Sequence, residues 1–427
     1  MNIDLLIHNA SQILTLAGGP QPGHDLGNLE VVENGALAIN DEKIIAVGPS
    51  PELSKKYKAT QEIDAAGRVV MPGFVDPHTH LIWAGDRAAE FEMRLAGASY
   101  MEILNAGGGI LSTVRLTRSA SVDDLVAQAR GRLNRMLSHG TTTAEVKTGY
   151  GLETETELRM MEAILRLDTE NPVELIPTFL GAHAIPSEFS DDPVGYTDLI
   201  CDEMLPSLVQ WWEENATERS LPFVDVFCET GAFNLDQSRR ILERAKELGF
   251  QLKIHADEFD GLGGTGLAVE LGATSADHLV RTPKEDIKTL GASKTVAVSL
   301  PCTPFGLAES DYTPAKAILE AGGILALATD LNPGTAWCES MQFPIALACR
   351  YMHLTPSQAI AAATINAAAA VARADTVGSL EPEKQADVLI IDTPDYRHLG
   401  YRFGVNLIST VIKRGKIVFS RGGEEII

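Results

Sequence analysis

Between about residues 71 and 375 the chain alternates short apolar runs with amphipathic helical stretches, and few folds accommodate eight such repeats. Strands are predicted over 69–75, 140–146, 173–179, 223–228, 251–254, 274–276, 295–299 and 324–328. Over 121–138 Ser121 is placed to cap a helix, Asp123 and Asp124 fill its first turn, and Leu125, Ala129, Leu133 and Leu137 recur on one face. The stretches 153–167, 198–213, 236–248 and 313–321 follow the same logic. The alternation predicts an α/β fold, a (β/α)8 TIM-like barrel. A doubly wound open sheet is the alternative. It would carry a glycine-rich turn after its first strand, whereas Gly107-Gly108-Gly109 follows no predicted strand.

Both chain ends read differently. Residues 1–70 and 376–427 hold short strands separated by Gly, Pro, Asn and Asp turns, among them 5–7, 12–16, 35–39, 43–48, 386–392 and 411–419. Neither end supplies enough strands to close a core by itself. Together they are expected to make a small β-sandwich domain, with the barrel of 71–375 inserted between its halves.

Catalytic groups of such a barrel belong at the C-terminal ends of its strands. The first strand ends in His78 and His80, two imidazoles on one side of an extended segment. The second ends in Glu145 and Lys147, followed by Tyr150; the third in His183; the fourth in Cys228 and Glu229. The fifth ends in His255, Asp257 and Glu258, the sixth in Asp277 and His278, and the eighth in Asp330 and Asn332. Of the 10 histidines, His8, His24, His139, His353 and His398 fall elsewhere and read as ordinary. His78, His80, His255 and Asp330 can hold one ion, a ligand set suited to Zn2+ or to Fe2+/Fe3+. Such an ion brings the pKa of water down toward ~7. Asp330 can bind or sit beside the ion and take the proton of the water. Glu258 can pass a proton to a leaving nitrogen, and His183 and His278 can polarise a carbonyl. A second ion would need a bridging ligand at the fourth strand. Lys147 stands on the second strand instead, and Glu229 is the remaining candidate for a bridge.

The net charge of −23 argues against nucleic acid or an anionic membrane as partner. An anionic substrate would then need a local basic group. The five cysteines are scattered, without C-x-x-C, as in a reducing compartment. The N-terminal residues show no signal-peptide pattern, and the alanine-rich stretch 359–372 is too short and too polar to span a bilayer, so the cytoplasm is expected. A homodimer is compatible with this architecture.

The run Pro72-Gly73-Phe74-Val75-Asp76-Pro77-His78-Thr79-His80, a later strand-borne histidine and Asp330 resemble the amidohydrolase superfamily. Longer stretches are similar to one branch of it, the enzymes that open an imidazolone ring in histidine breakdown. They are Ala84-Gly85-Asp86-Arg87, Gly107-Gly108-Gly109-Ile110, Glu145-Val146-Lys147-Thr148-Gly149-Tyr150-Gly151-Leu152, Phe179-Leu180-Gly181-Ala182-His183, His255-Ala256-Asp257-Glu258-Phe259 and Asp330-Leu331-Asn332-Pro333-Gly334-Thr335. The resemblance implies hydrolysis of the ring amide of 4-imidazolone-5-propanoate to N-formimino-L-glutamate. It implies an ion on His78, His80, His255 and Asp330, and substrate contacts at Arg87, Tyr150, His183, Glu258, Asn332, Gly334 and Thr335. Arg87 would grip the propanoate carboxylate bidentately. Two other readings stay open: a metal-dependent aminohydrolase of a heteroaromatic amine, which would release ammonia, and a non-catalytic relative, which would lack bound metal.

Overall fold

The computed structural model describes residues 1–98, 102 and 108–422; Gly107 of the triple-glycine motif and residues 423–427 lie outside the described residues. The chain opens with β1 (Asn2–Leu14), β2 (Val31–Asn40), β3 (Lys43–Pro49), β4 (Lys58–Asp64) and β5 (Val69–Pro72). Eight strands alternating with helices follow: β6 (Phe74–Asp76), β7 (Thr141–Lys147), β8 (Glu174–Ala182), β9 (Phe223–Cys228), β10 (Gln251–Ala256), β11 (Ser275–His278), β12 (Val296–Ser299) and β13 (Ile324–Leu327). It finishes with β14 (Val388–Ile391), β15 (Ile408–Lys413) and β16 (Lys416–Ser420).

Strands β6 to β13 pair in sequence order, each parallel to the next, as the predicted barrel requires. The seam between β13 and β6 closes just beyond the strands. Thr79 bridges Leu331, the Asp330 amide donates to the His78 carbonyl (3.2 Å), and the His80 amide donates to the Leu331 carbonyl (2.9 Å). Below them the buried Asp76 carboxylate accepts from the Thr329 amide (3.1 Å) and hydroxyl (2.6 Å). The helix Val122–Ser138 carries the predicted cap as a full capping box, with the Ser121 hydroxyl accepting from the Asp124 amide and the Asp124 carboxylate from the Ser121 amide.

The strands of both chain ends form one separate sheet in the order β16-β15-β14-β5-β1-β2-β3, with β4 also on β1. Alternate residues on one face (Ile7, Ile13, Leu37, Ile39, Val70, Val388, Ile390 and Ile412 among them) gather in a single buried cluster, so the sheet curls around its own core. Two predicted strands differ in detail. The run 69–75 is two strands in two sheets, because the chain turns at Gly73, where a Cβ would sit 2.1 Å from Thr142 Oγ1. The run 411–419 is a hairpin. Arg414 and Gly415 both take left-handed backbone (φ +49° and +74°), the requirement of a tight two-residue turn. The alanine-rich stretch is buried as two short helices against the barrel. Among the described residues no helix is long and apolar enough to cross a membrane.

Candidate metal centre

The C-terminal ends of the barrel strands meet at a cavity of about 150 Å3. Each strand runs through the tightly packed barrel interior, and only where it ends is there room for side chains to surround a ligand. His78, His80, His255 and Asp330 meet at the floor, all buried. His78 Nε2 and Asp330 Oδ1 have no hydrogen-bond partner and lie 3.5 Å apart. His80 Nε2 is 3.6 Å from the same oxygen and 3.4 Å from His255 Nε2. Two donors, each ~2.1 Å from a tetrahedral ion, stand about 3.4 Å apart. The donor set therefore fits one ion. A ring nitrogen of His278 lies within 4.8 Å of the His78 and Asp330 donor atoms, which puts this histidine on the rim of the same centre. Asp257, His278 and Asp330 hold left-handed backbone (φ +54°, +78° and +54°), as turn residues elsewhere in the chain also do.

Burial sets the electrostatics. It drives the His78, His80 and His278 rings well below the usual imidazole range, aided by neighbouring cationic groups, so all three are neutral ligands or acceptors. Burial, with the Asp330 and Glu229 charges, pushes Glu258 well above the ordinary glutamate range, which keeps its carboxyl protonated and able to donate. Burial likewise raises Asp330 to about 6, against the Thr303 hydroxyl that donates to its Oδ2 at 2.5 Å. His183 stacks on His80 at 4.7 Å. Its Nδ1 sits 3.0 Å from the Gly149 carbonyl, which can only accept, so Nδ1 carries the proton. Burial and His255 pull its pKa down to about 3, and Nε2 is left as a bare acceptor. This geometry alters the expected role, because an acceptor does not polarise a carbonyl.

The seven residues expected to touch substrate all line the cavity. Their hydrogen bonds divide the work differently from the expectation. Two nitrogens of Arg87, Nε (2.8 Å) and Nη2, are already held by the Glu90 carboxylate, which also accepts from the Gly109 amide at 2.8 Å. A bidentate grip through that edge is excluded, and the Nη1/Nη2 end of the guanidinium is the side left for a carboxylate. Asn332 is spent on its own loop. Its Oδ1 accepts from the Gly334 and Thr335 amides, both at 2.8 Å, and its amide donates to the Asp330 carbonyl at 2.7 Å. It shapes the loop that carries Gly334 and Thr335. Glu229 gives its oxygens to the amides of Thr230 (2.8 Å) and Phe259 (2.9 Å). Lys147 turns into the barrel interior toward Glu145 and Asp225, away from the cavity.

The sequence offered Glu90 or Asp86 as a salt-bridge partner of Arg87, and the structure shows the Glu90 pair; sequence reasoning missed Thr303, Phe227 and Phe259, and it gave no role to Asp225, Asp277 or Lys253. A signal for Asp277 and Lys253 exists: a charged residue two positions from another polar residue in a strand, as in Ser275-Ala276-Asp277 or Leu252-Lys253-Ile254-His255, places both on one face and so inside a barrel, whereas Asp225 has Phe223 and Phe227 at those positions. Thr303 carries no such mark. Because its hydroxyl occupies Asp330 Oδ2 and turns Oδ1 toward the histidines, Thr303→Val is expected to weaken metal binding about 10- to 100-fold. Competition with a chromophoric chelator measures this directly; unchanged affinity would remove Thr303 from the centre.

The sequence profile of the amidohydrolase family matches residues 69–418. The chain is 53% identical to an imidazolonepropionase of Herpetosiphon aurantiacus over 97% of both chains. It is 50% identical to one of Chloroflexus aggregans over 97% of this chain and 98% of that one. Among solved structures it resembles a triazine hydrolase variant (TM-score 0.75, 16% identity, 97% of this chain and 94% of that one). It also resembles the E. coli guanine deaminase (TM-score 0.73, 16% identity, 98% and 99%). These two likenesses speak for the fold alone.

Proposed function

The chain belongs to the imidazolonepropionases of the amidohydrolase family, and from that footing we propose that it hydrolyses the ring amide of 4-imidazolone-5-propanoate to N-formimino-L-glutamate. The observation that carries the reading beyond the family is the cavity itself. A donor set that fits an ion lies at its floor, and a protonated Glu258 and, among the described residues, one lining cation, Arg87, converge on it. One ion, Zn2+ or Fe2+/Fe3+, on His78, His80, His255 and Asp330 would polarise the amide carbonyl and acidify a water molecule.

The residues of the chain then divide the remaining tasks. Arg87 Nη1 meets the propanoate carboxylate and fixes the ring above the centre, with Tyr150 packed beside His80 and His183 (ring centroids 5.8 and 5.3 Å). His183 Nε2 accepts a ring N–H and so selects a substrate that has one. Asp330 takes the proton of the attacking water, and its two carboxylate oxygens keep separate partners while it does so. Glu258 delivers its proton to the ring nitrogen as the carbon–nitrogen bond breaks, so that nitrogen leaves in the neutral formimino group. His278 Nδ1, 3.6 Å from Glu258 Oε1, stands beside that carboxyl and orients it.

Gly334 decides whether Arg87 can do its part. A Cβ there would lie 2.4 Å from Arg87 Nη1. Gly334→Ala is expected to raise KM about 10- to 100-fold, the loss of one charge-assisted hydrogen bond, with kcat little changed. A variant whose KM stays at the parent value would show that Nη1 does not hold the carboxylate. The reaction itself is tested by following the ultraviolet absorbance of the imidazolone and identifying the product. Formiminoglutamate without ammonia supports the reading, and ammonia release from an amino-heterocycle with the imidazolone untouched overturns it.

A further inference from the structure

Beneath the candidate centre lies a set of charged side chains that the reaction does not use. Lys147 Nζ is 2.7 Å from Asp225 Oδ2, 2.8 Å from Glu145 Oε1 and 3.7 Å from Asp277 Oδ2, and all four side chains are fully buried. Lys253 Nζ is 3.2 Å from the same Glu145 oxygen and donates to the Pro77 carbonyl (3.0 Å), next in the chain to His78. Two of the carboxylates reach back to the metal ligands. Asp277 Oδ2 is 2.7 Å from His78 Nδ1. Asp225 Oδ2 is 3.0 Å from His255 Nδ1, though off the line of the ring N–H bond, and its Oδ1 accepts from the His255 amide at 3.2 Å.

An imidazole binds metal through one nitrogen, and the hydrogen bond at the other decides which one. An ammonium group only donates, so every carboxylate oxygen turned to Lys147 serves as an acceptor. Asp277 Oδ1 accepts from Ser275 Oγ at 2.6 Å, and the Lys147 ammonium stands at ion-pair distance, 3.7 Å, from Oδ2. Beside that ammonium Oδ2 acts as an acceptor for the Nδ1 proton of His78, which turns the bare Nε2 toward Asp330. Resting on the metal-centre reading above, we propose that Lys147 is a positioning residue for that centre: it holds Asp277 and Asp225 as paired acceptors that fix His78 and His255 with Nε2 free for the ion.

The test uses the full chain as Lys147→Met, Asp277→Asn and Asp225→Asn, with affinity for Zn2+ measured by chelator competition. Histidine ring 15N shifts of the metal-free protein report which nitrogen carries the proton. The expected result is a 10- to 100-fold loss of affinity in Lys147→Met and Asp277→Asn, with circular dichroism unchanged. In the same variants the His78 ring should move from the Nδ1–H form toward a mixture. The Asp225→Asn effect should be the smaller, in line with its poorer geometry. If Lys147→Met does not fold, Asp277→Asn alone decides, since it preserves size and inserts a donor where an acceptor is required. Affinity within twofold of the parent, or an unmoved His78 tautomer, overturns the proposal. A parent chain that binds no divalent ion at all would instead overturn the metal-centre reading on which it rests.

Discussion

Asp330→Ala is expected to reduce imidazolone turnover by at least about 10⁴-fold, because the proposed reaction asks one side chain to be both a ligand and the proton acceptor for the attacking water. The geometry explains why no neighbour can substitute. Asp330 Oδ1 is the only carboxylate oxygen in the buried set that faces both His78 Nε2 (3.5 Å) and His80 Nε2 (3.6 Å). The other acidic groups close by are committed elsewhere: Asp277 to His78 Nδ1 and Ser275, Glu229 to loop amides. Metal content should fall along with activity. A variant that keeps its ion and works within tenfold of the parent would show that Asp330 is neither ligand nor base. Asp330→Asn separates the two roles, since an amide oxygen can still bind weakly but cannot take a proton.

The second large effect concerns Glu258. Glu258→Gln should lower kcat about 10²- to 10⁴-fold, the span of a general acid, while leaving metal content at the parent level. The pH dependence gives an independent check. The working form of Glu258 is protonated, and burial with the Asp330 and Glu229 charges has raised its pKa well above that of a free glutamate. Activity attributable to it is therefore present below that raised pKa and is lost as the pH climbs through it. The parent should show an alkaline fall in kcat that the Gln variant lacks. A Gln variant with parent kcat and the same alkaline limb would remove Glu258 from the proton path.

How much of this was legible from sequence depended on distance along the chain. The strand–helix alternation and the histidine pair after Val75-Asp76-Pro77 are local patterns, and both the barrel and the convergence of His78, His80, His255 and Asp330 followed from them. What the sequence did not reveal is which side chains pair across it. The Arg87–Glu90 pair was legible as an i,i+3 spacing, but that it faces the cavity and takes one edge of the guanidinium was not. That His183 is an acceptor depends on the Gly149 carbonyl 34 residues earlier. Lys147 looked like a residue of the cavity rim, but β7 ends with it pointing inward, where three carboxylates from three strands wait for it. Likewise, Gly73 reads as an ordinary strand residue until Thr142 is seen packed against it.

The closure of the ring at β6 and β13 carries one more consequence. The backbone that stitches the first strand to the last belongs to His78, Thr79, His80, Asp330 and Leu331, and the Asp76 carboxylate reaches Thr329 across 253 positions of sequence. A chain that ends before Thr329 therefore lacks both the last of the proposed ligands, Asp330, and every one of these cross-ring contacts, so the ring and the candidate centre can only be completed together.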